Sequence, residues 1–564
     1  MNFRHHLCGG AALGALVALS LAPVAHAAAA APKLHKKHVA HAAAPAATAA
    51  EVSALREQLT ALQARLDAQD AALAQAKQDA AARIAAISAQ SSQSAEQTRV
   101  IQSEVAAVPA EIKKQVAAAA PKTDKVYYKG VSITLGGFLA AEGVYRQHSE
   151  SADIASSYGN LPLGNVASKS ASEFRETARQ SRISALVQGN INPTTHATFY
   201  GEFDFLGAAQ TANSKEANAY NPRIRQVFGE VTWDDLGLDL AAGQMWSLTT
   251  EYSKGLTPRS ELLPPQIDAQ YIPGFVWTRT PEVRVTKSYF NKSLTVAVSA
   301  ENPQSVFVNA PATLITSTYA ATGASSATSP QATGSLFNSL VTYSYNHYPD
   351  LVGKVAYDTK FMDRPVHLEA FGLGRDFYTL TAANGAGHDK WGVSFGGAAS
   401  GPIVPNLLDF QISAMRGRGI GRYGSSGMND ATFDPNGNVK PIAETAILSG
   451  VTLHPNPTLD LYLFGGEEAQ DSQAYRIGTT YYGFGDTNPN DSGCALIGGT
   501  CAGKVKRVDQ VTFGFWHKFY QGPFGRLQWG LQYSYTENAL FPGSLGGGST
   551  ADSMVFSSFR YYPF

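Results

Sequence analysis

Residues Arg526–Tyr535 read Arg-Leu-Gln-Trp-Gly-Leu-Gln-Tyr-Ser-Tyr. Leu527, Trp529, Leu531, Tyr533 and Tyr535 alternate with Arg526, Gln528, Gly530, Gln532 and Ser534. A period of two is the repeat of a β-strand, whose successive side chains point to opposite faces. One face suits an apolar surrounding and the other suits water. The pattern recurs where Leu294, Val296, Val298 and Ala300 oppose Thr295, Ala297, Ser299 and Glu301. It recurs again where Ala197, Phe199, Gly201, Phe203 and Phe205 oppose His196, Thr198, Tyr200, Glu202 and Asp204. In a soluble sandwich the apolar face would be core. Here the opposite face carries charges and no second set of strands is needed to cover the apolar one, which points to a lipid-facing barrel wall.

Composition agrees. The 564 residues hold 44 Lys+Arg against 45 Asp+Glu, a balance that excludes the basic footprint of a nucleic-acid binder. Charged residues are 16% and aromatics 10%, with 52 glycines. Arg4, the apolar run Ala11 to Ala22 and Ala25-His26-Ala27 form a secretory signal over residues 1–27. No later run is long and apolar enough for a transmembrane helix, so a spanning chain must close its strands into a barrel.

Connection lengths set the topology. Short turns fall at Asn192-Pro-Thr-Thr, Asp234-Asp-Leu-Gly, Asn291-Lys-Ser, Asp358 to Pro365, Gly401 to Asn406, His454-Pro-Asn-Pro and Gln521-Gly-Pro-Phe. Long polar loops fall at about 148–179, 207–222, 249–277, 302–335, 380–388, 418–440, 466–506 and 540–551. Seven short and eight long connections in alternation join sixteen antiparallel strands over residues 131–564. Short periplasmic turns and long external loops are the asymmetry of outer-membrane barrels, and an even strand number leaves both termini in the periplasm. The count takes Ser335 to Asp358 as one long strand, unsplit at Tyr348-Pro349. The chain ends Ser-Phe-Arg-Tyr-Tyr-Pro-Phe, which resembles the assembly signal of such barrels in Tyr562 and Phe564 but departs from it at Arg560.

Ahead of the barrel, residues 28–50 form an Ala-rich linker. Val52, Leu55, Leu59, Leu62, Leu66 and Leu73 then keep the spacing of a heptad seam, with Gln69 at a d position and a four-residue slip leading to Ile84 and Ile87. The expectation is an α-helical coiled coil over residues 51–90, its chemistry compatible with dimer and trimer. Residues 91–130, broken at Pro109 and Pro121, read as a helical connector. Cys8 lies in the signal, whereas Cys494 and Cys501 share a Gly- and Asn-rich loop and suit a disulfide in an oxidising compartment.

Arg223 to Ser247, RIRQVFGEVTWDDLGLDLAAGQMWS, leads into a loop with Pro264-Pro-Gln-Ile-Asp-Ala-Gln-Tyr-Ile-Pro-Gly-Phe. Later come Tyr348-Pro-Asp-Leu-Val-Gly-Lys-Val-Ala-Tyr-Asp and His367-Leu-Glu-Ala-Phe-Gly-Leu-Gly-Arg375. In this order, behind a coiled coil, these segments resemble the DcaP-like family of outer-membrane porins over roughly residues 51–564. The motifs are short, and their order carries the likeness. The resemblance implies a homotrimer of sixteen-stranded barrels with a periplasmic stalk, taking up small anionic solutes such as dicarboxylates. Its expected surroundings are outer-membrane lipid and lipopolysaccharide, with peptidoglycan within reach of the stalk and no nucleic acid.

A pore works through width and field, set by an inward loop and by charged rings. The Pro-rich connection 249–277, with Arg259, Glu261 and Asp268, is the natural constriction loop. Arg182 shares parity with Ser184 and Gln188, Arg284 shares parity with Thr286 and Ser288, and Arg279 stands at the mouth of the sixth strand. Arg225 shares parity with Val227 and Val231, so it faces inward only if a bulge intervenes. Guanidinium groups at a narrow eyelet would attract carboxylates. Glu202, Asp204, Glu230 and Glu301 are the expected inward acids, which either pair with them or make a cross-pore field; the competing reading is a solvated, internally neutralised lumen without selectivity.

Other signals carry less. Gly419-Ile-Gly421-Arg-Tyr-Gly424 matches G-x-G-x-x-G but opens no helix. Asp486, Asn488 and Asn490 have the spacing of a Ca²⁺ loop without its remainder, so the reading is an incidental turn and no cofactor, with weak Ca²⁺ binding in an external loop as the alternative. His5, His6, His35, His38 and His41 sit in the signal and linker, and no metal-site motif accompanies them. No Ser/His/Asp arrangement forms at the rim, where His517 and His454 stand alone, so no enzyme activity is expected. The alternatives to a channel are a barrel enzyme, which would act on lipid or peptide, and a structural tether, which would not conduct.

Overall fold

The computed structural model describes residues 49–107, 125–207, 220–315, 343–486, 489–544 and 548–564. The signal peptide, nearly all of the linker with its histidines, Cys8, Pro109, Pro121 and Asn488 lie outside the described residues.

One helix runs from Ala49–Ala107, 59 residues, or about 90 Å at ~1.5 Å per residue. It continues past residue 90 into the stretch read as connector. Leu59, Leu62, Ile84 and Ile87 are all more than half exposed on the single chain. No described helix is long and apolar enough to cross a membrane.

The barrel strands are numbered here in chain order. They are β1 Val131–Arg146, β2 Arg182–Asn192, β3 Thr195–Asp204, β4 Arg223–Trp233, β5 Leu238–Trp246, β6 Arg279–Tyr289, β7 Leu294–Glu301 and β8 Asp350–Phe361. There follow β9 Arg364–Thr381, β10 Gly387–Val404, β11 Leu408–Arg418, β12 Ala443–Asn456, β13 Leu459–Gln470, β14 Val505–Gly522, β15 Gly525–Leu540 and β16 Ser549–Tyr562. Each is antiparallel to the next, and β16 returns to β1 with Leu139 opposite Tyr561 and Arg146 opposite Met554. The sheet is therefore closed and has no free edge. Ahead of β1, Lys125–Tyr128 already pairs with its first residues, so ordered strand begins inside the expected connector.

The alternation on β15 is realised as read. Gln528, Gly530, Gln532 and Ser534 are buried on the lumen side, and Trp529, Leu531 and Tyr535 are exposed on the outer wall. The seven short turns fall where the turn residues place them, for example at Met362-Asp363, both left-handed with φ of 50° and 60°. Over the described part of the expected strand Ser335 to Asp358, only the residues from Asp350 onward are strand. β8 starts at Asp350, and residues 343–349 run outside any strand. Pro349 has no N–H to give to a ladder, and the chain becomes strand only beyond it. The strand number stays at sixteen.

Candidate functional site: the lumen and its inward loop

The connection 247–278 leaves β5, enters the barrel and crosses to the far wall. Pro258, Pro264, Pro265 and Pro273 keep it out of the sheet, and its apolar side chains give it two seats. Ile267, Tyr271, Ile272 and Phe275 pack with Leu448 on β12, Tyr462 and Phe464 on β13 and Trp516 on β14. Leu248, Tyr252, Leu256 and Val276 pack with residues of β7, β8, β9 and β11. Each such side chain buried contributes about 1.5–3 kcal/mol.

Polar contacts fix the register of this strut. The Gly274 N–H donates to Glu468 on β13 at 2.8 Å, the Ile267 N–H to Gln532 on β15 at 2.6 Å, and the Tyr252 N–H to Glu369 on β9 at 2.8 Å. The Trp516 indole donates to the Pro265 carbonyl at 2.9 Å. At the tip, Gly274 adopts a left-handed φ of 87° and meets Ile447, while Gly466 on β13 meets Pro273; a Cβ on either glycine would overlap the facing carbonyl oxygen. Beneath the loop lies a cavity of about 470 Å³ lined by Lys254, Leu263, His367, Gln411 and His454 among others.

The acids of the loop respond to this burial. Asp268 is buried, accepts from the Tyr158 hydroxyl at 2.8 Å and from the Ser156 N–H at 3.2 Å, and burial pushes its carboxyl up despite those donors. It ties the strut to the first external loop and does not face a pore. Burial also pushes Glu261 up, and pushes Glu251 up to about 8 with Glu369 adding to the effect.

The expected arginines separate into two sets. Arg284 is buried under the strut, paired with Glu282 at 2.5 Å, donating to the Trp246 carbonyl at 2.6 Å and bonded to the Tyr252 hydroxyl. It anchors the root of the loop and is not part of an open eyelet. Arg182, Arg225 and Arg279 gather instead around Tyr271. Burial alone would raise the Tyr271 phenol, but Arg225, Arg182 and Arg279 together outweigh it and hold the phenol below its ordinary value.

Arg225 reaches this cluster through a bulge. The β3–β4 register passes from Glu202 opposite Gln226 to Phe203 opposite Ile224, leaving Arg225 as the extra residue. Arg225 and Gln226 are therefore both buried on the lumen side. Its guanidinium bridges Glu202 at 2.5 Å and Asp204 at 2.9 Å, and Asp204 also takes both donors of Arg223 at 2.9 and 2.8 Å. Arg182 stacks over Phe138 at 5.2 Å, and Arg279 lies over Trp246 at 5.1 Å and Trp277 at 5.3 Å. Among the described residues neither Arg182 nor Arg279 makes an ion pair, and Arg182 Nε and Arg279 Nη1 are buried without an acceptor. Four guanidiniums thus meet two carboxylates. Arg259, exposed and with φ of 75°, lies over Tyr200 at 4.7 Å, whose hydroxyl donates to Glu202 at 3.1 Å. Glu230 is buried nearby with Oε1 unpartnered.

Arg560 was outside the expected set. It pairs with Glu142 at 2.9 Å across the closing seam and lies over Phe138 at 4.8 Å and Trp516 at 4.6 Å. Its parity, opposite to the outward Phe559, was the available signal. Lys354, paired with Glu369 at 2.5 Å, and Arg375, held by Asp350 and Asp430, are further inward cations on β8 and β9. On the external side, Cys494 and Cys501 form a disulfide with Cα atoms 4.4 Å apart. Gly421–Tyr423, within the glycine motif, is a three-residue turn of 3-10 helix.

A closed antiparallel barrel of sixteen strands with an inward-folded external loop is the fold of outer-membrane porins and channels. The chain is similar in structure to the outer membrane channel DcaP of Acinetobacter baumannii, at 17% identity and a TM-score of 0.55, covering 78% of this chain and 99% of that one. An anion-selective porin from Comamonas acidovorans aligns at 12% identity and a TM-score of 0.42, over 77% of this chain and 99% of that chain. OmpF of Salmonella typhi, in complex with daunomycin, aligns at 10% identity and a TM-score of 0.43, over 78% and 99%. No protein-family profile and no curated protein matches the chain in sequence.

Proposed function

We propose that the protein is a passive outer-membrane channel for small hydrophilic anions, dicarboxylates being the best fit, and that its N-terminal helix joins three copies through a periplasmic coiled coil. The observation that carries the anion preference is the pair Arg182 and Arg279, lumenal cations with buried N–H groups and no carboxylate of their own. In a confined space of reduced dielectric, uncompensated guanidiniums attract carboxylates more strongly than they would in water. Arg225, ion-paired with Glu202 and Asp204 and with only its Nη2 lacking an acceptor among the described residues, adds to the positive patch. Two guanidiniums without ion pairs, both acting on Tyr271, suit a solute with two carboxylates better than a monovalent ion. The exposed Leu59, Leu62, Ile84 and Ile87 of the helix support self-association.

The test is reversal potential and single-channel conductance of the purified protein in a planar bilayer across a KCl gradient. Three-step closures with anion preference, blocked transiently by succinate, are expected. Cation preference would remove the anion reading, and a silent bilayer from folded protein would remove the channel.

A further inference from the structure

Three side chains meet on the outer wall of the barrel near its extracellular rim. Asp389 on β10 shares parity with Trp391, Val393 and Phe395, all exposed outward. Asp376 on β9 shares parity with the outward Leu368, and its neighbour across the pair is Trp391. His347 comes from the segment that precedes Pro349 and β8. The imidazole Nδ1 lies 3.2 and 3.3 Å from the two carboxylate oxygens of Asp389. The ring is held by Tyr348 at 4.3 Å and Tyr378 at 5.1 Å between centroids.

Asp376 is the unusual member. It is 1% exposed, and its carboxylate faces the Asp389 carboxyl and the His347 N–H, while among the described residues neither oxygen accepts a well-formed hydrogen bond. A buried carboxylate in that condition beside a second carboxylate is unfavourable unless a proton or a cation joins them. One donor atom each from His347, Asp376 and Asp389 lie within 4.8 Å of one another. Metal–ligand bonds of about 2.0–2.2 Å bring donors to roughly 3–4 Å apart, so a contraction of about an ångström would complete the set.

We propose that His347, Asp376 and Asp389 form a binding site for a first-row divalent cation, of which Zn²⁺ is representative. An imidazole nitrogen with two carboxylate oxygens selects such an ion over Mg²⁺ and Ca²⁺, which favour all-oxygen shells. Three protein ligands leave a further position for water. The bound ion would staple the 343–349 segment onto the β9–β10 hairpin, with no bearing on conduction through the lumen. No motif announces it, because the three ligands come from three separate segments.

The test is titration of full-length protein in detergent with Zn²⁺ against a chelating dye, for wild type, Asp376→Asn and His347→Ala. The linker histidines are present in all three, so the difference between proteins is the readout. One tight equivalent per chain is expected in wild type, weakened in both variants by at least the roughly 10- to 100-fold that follows loss of a mere supporting group. A Co²⁺ visible spectrum should appear in wild type and be lost in the variants. If wild type and Asp376→Asn give the same isotherm, Asp376 and Asp389 share a proton and the site is overturned. Should Asp376→Asn not fold, half-exposed His347→Ala decides alone: unchanged binding overturns the proposal.

Discussion

Gly466 on β13 lies directly beneath the carbonyl oxygen of Pro273, at the tip of the inward loop, with no room for a side chain between them. The strut touches the far wall backbone to backbone at this point. Gly466→Ala should lift the tip from the wall while the barrel stays folded, because the sheet ladder does not need that glycine. Overpacking of this kind costs about 1–3 kcal/mol, all of it at the contact between loop and wall. Larger and noisier single-channel conductance is expected, with no change in heat-modifiable mobility on gels. Unchanged conductance would mean that the strut does not limit the pore.

Arg182→Ala and Arg279→Ala should each lower anion permeability relative to K⁺ severalfold, and the double variant more than either. Arg284→Ala should behave differently. It leaves Glu282 buried without its partner, a loss of about 3–5 kcal/mol for a broken buried pair, and unseats the root of the loop. Its expected signature is unstable conductance with little change in reversal potential. Selectivity lost in Arg284→Ala and kept in Arg182→Ala would reverse the assignment.

Glu251 predicts a pH dependence. Its carboxyl is raised from about 4.5 to about 8, by burial first and by Glu369 second. The folded loop therefore holds a proton that the free loop would release, and stability from this group is full below about 4.5 and lost as pH rises through about 8. Protease cleavage within residues 247–278 should become faster, and channel noise greater, at pH 9 than at pH 6. Glu251→Gln, neutral throughout, should flatten both changes. A rise in cleavage toward low pH would contradict the sign.

Reduction of Cys494–Cys501 should act locally. The bridge closes a short external loop, and closing loops of this size contributes about 2–3 kcal/mol in chain-entropy terms. Faster proteolysis around residues 489–504 is expected, with unchanged conductance and barrel melting.

Leu59→Asp with Leu62→Asp should abolish cross-linked trimers formed through the stalk, if the exposed heptad positions are the seam. Persistence of stalk cross-links would place the contact on another helix face.

Much of the barrel was legible because its two faces meet different solvents and the period of two writes that difference into every strand. Trp529 and Gln532 could be assigned to opposite faces from sequence alone. Turn chemistry fixed the short connections for the same local reason. Arg225 was not legible in this way: a bulge inserts one residue and inverts parity beyond it, and nothing in Arg-Ile-Arg-Gln-Val marks where that residue falls. The break at Pro349 was visible, and the missing N–H outweighs the regular loop pattern that favoured a longer strand. Arg284 and Arg182 have equivalent patterns on their strands. The path of residues 247–278 across the lumen decides that Arg284 is fully buried and Arg182 only partly.

The ion pair between Arg560 and Glu142 joins the last strand to the first, with some four hundred residues of chain between them. Until that seam closes, β1 and β16 each present a row of unpaired amides, and Glu142 lacks its hydrogen-bonded partner Arg560. The pair therefore couples the register of the closing seam to a charge: a barrel joined one residue out of step would lose the Arg560–Glu142 contact that the observed register makes.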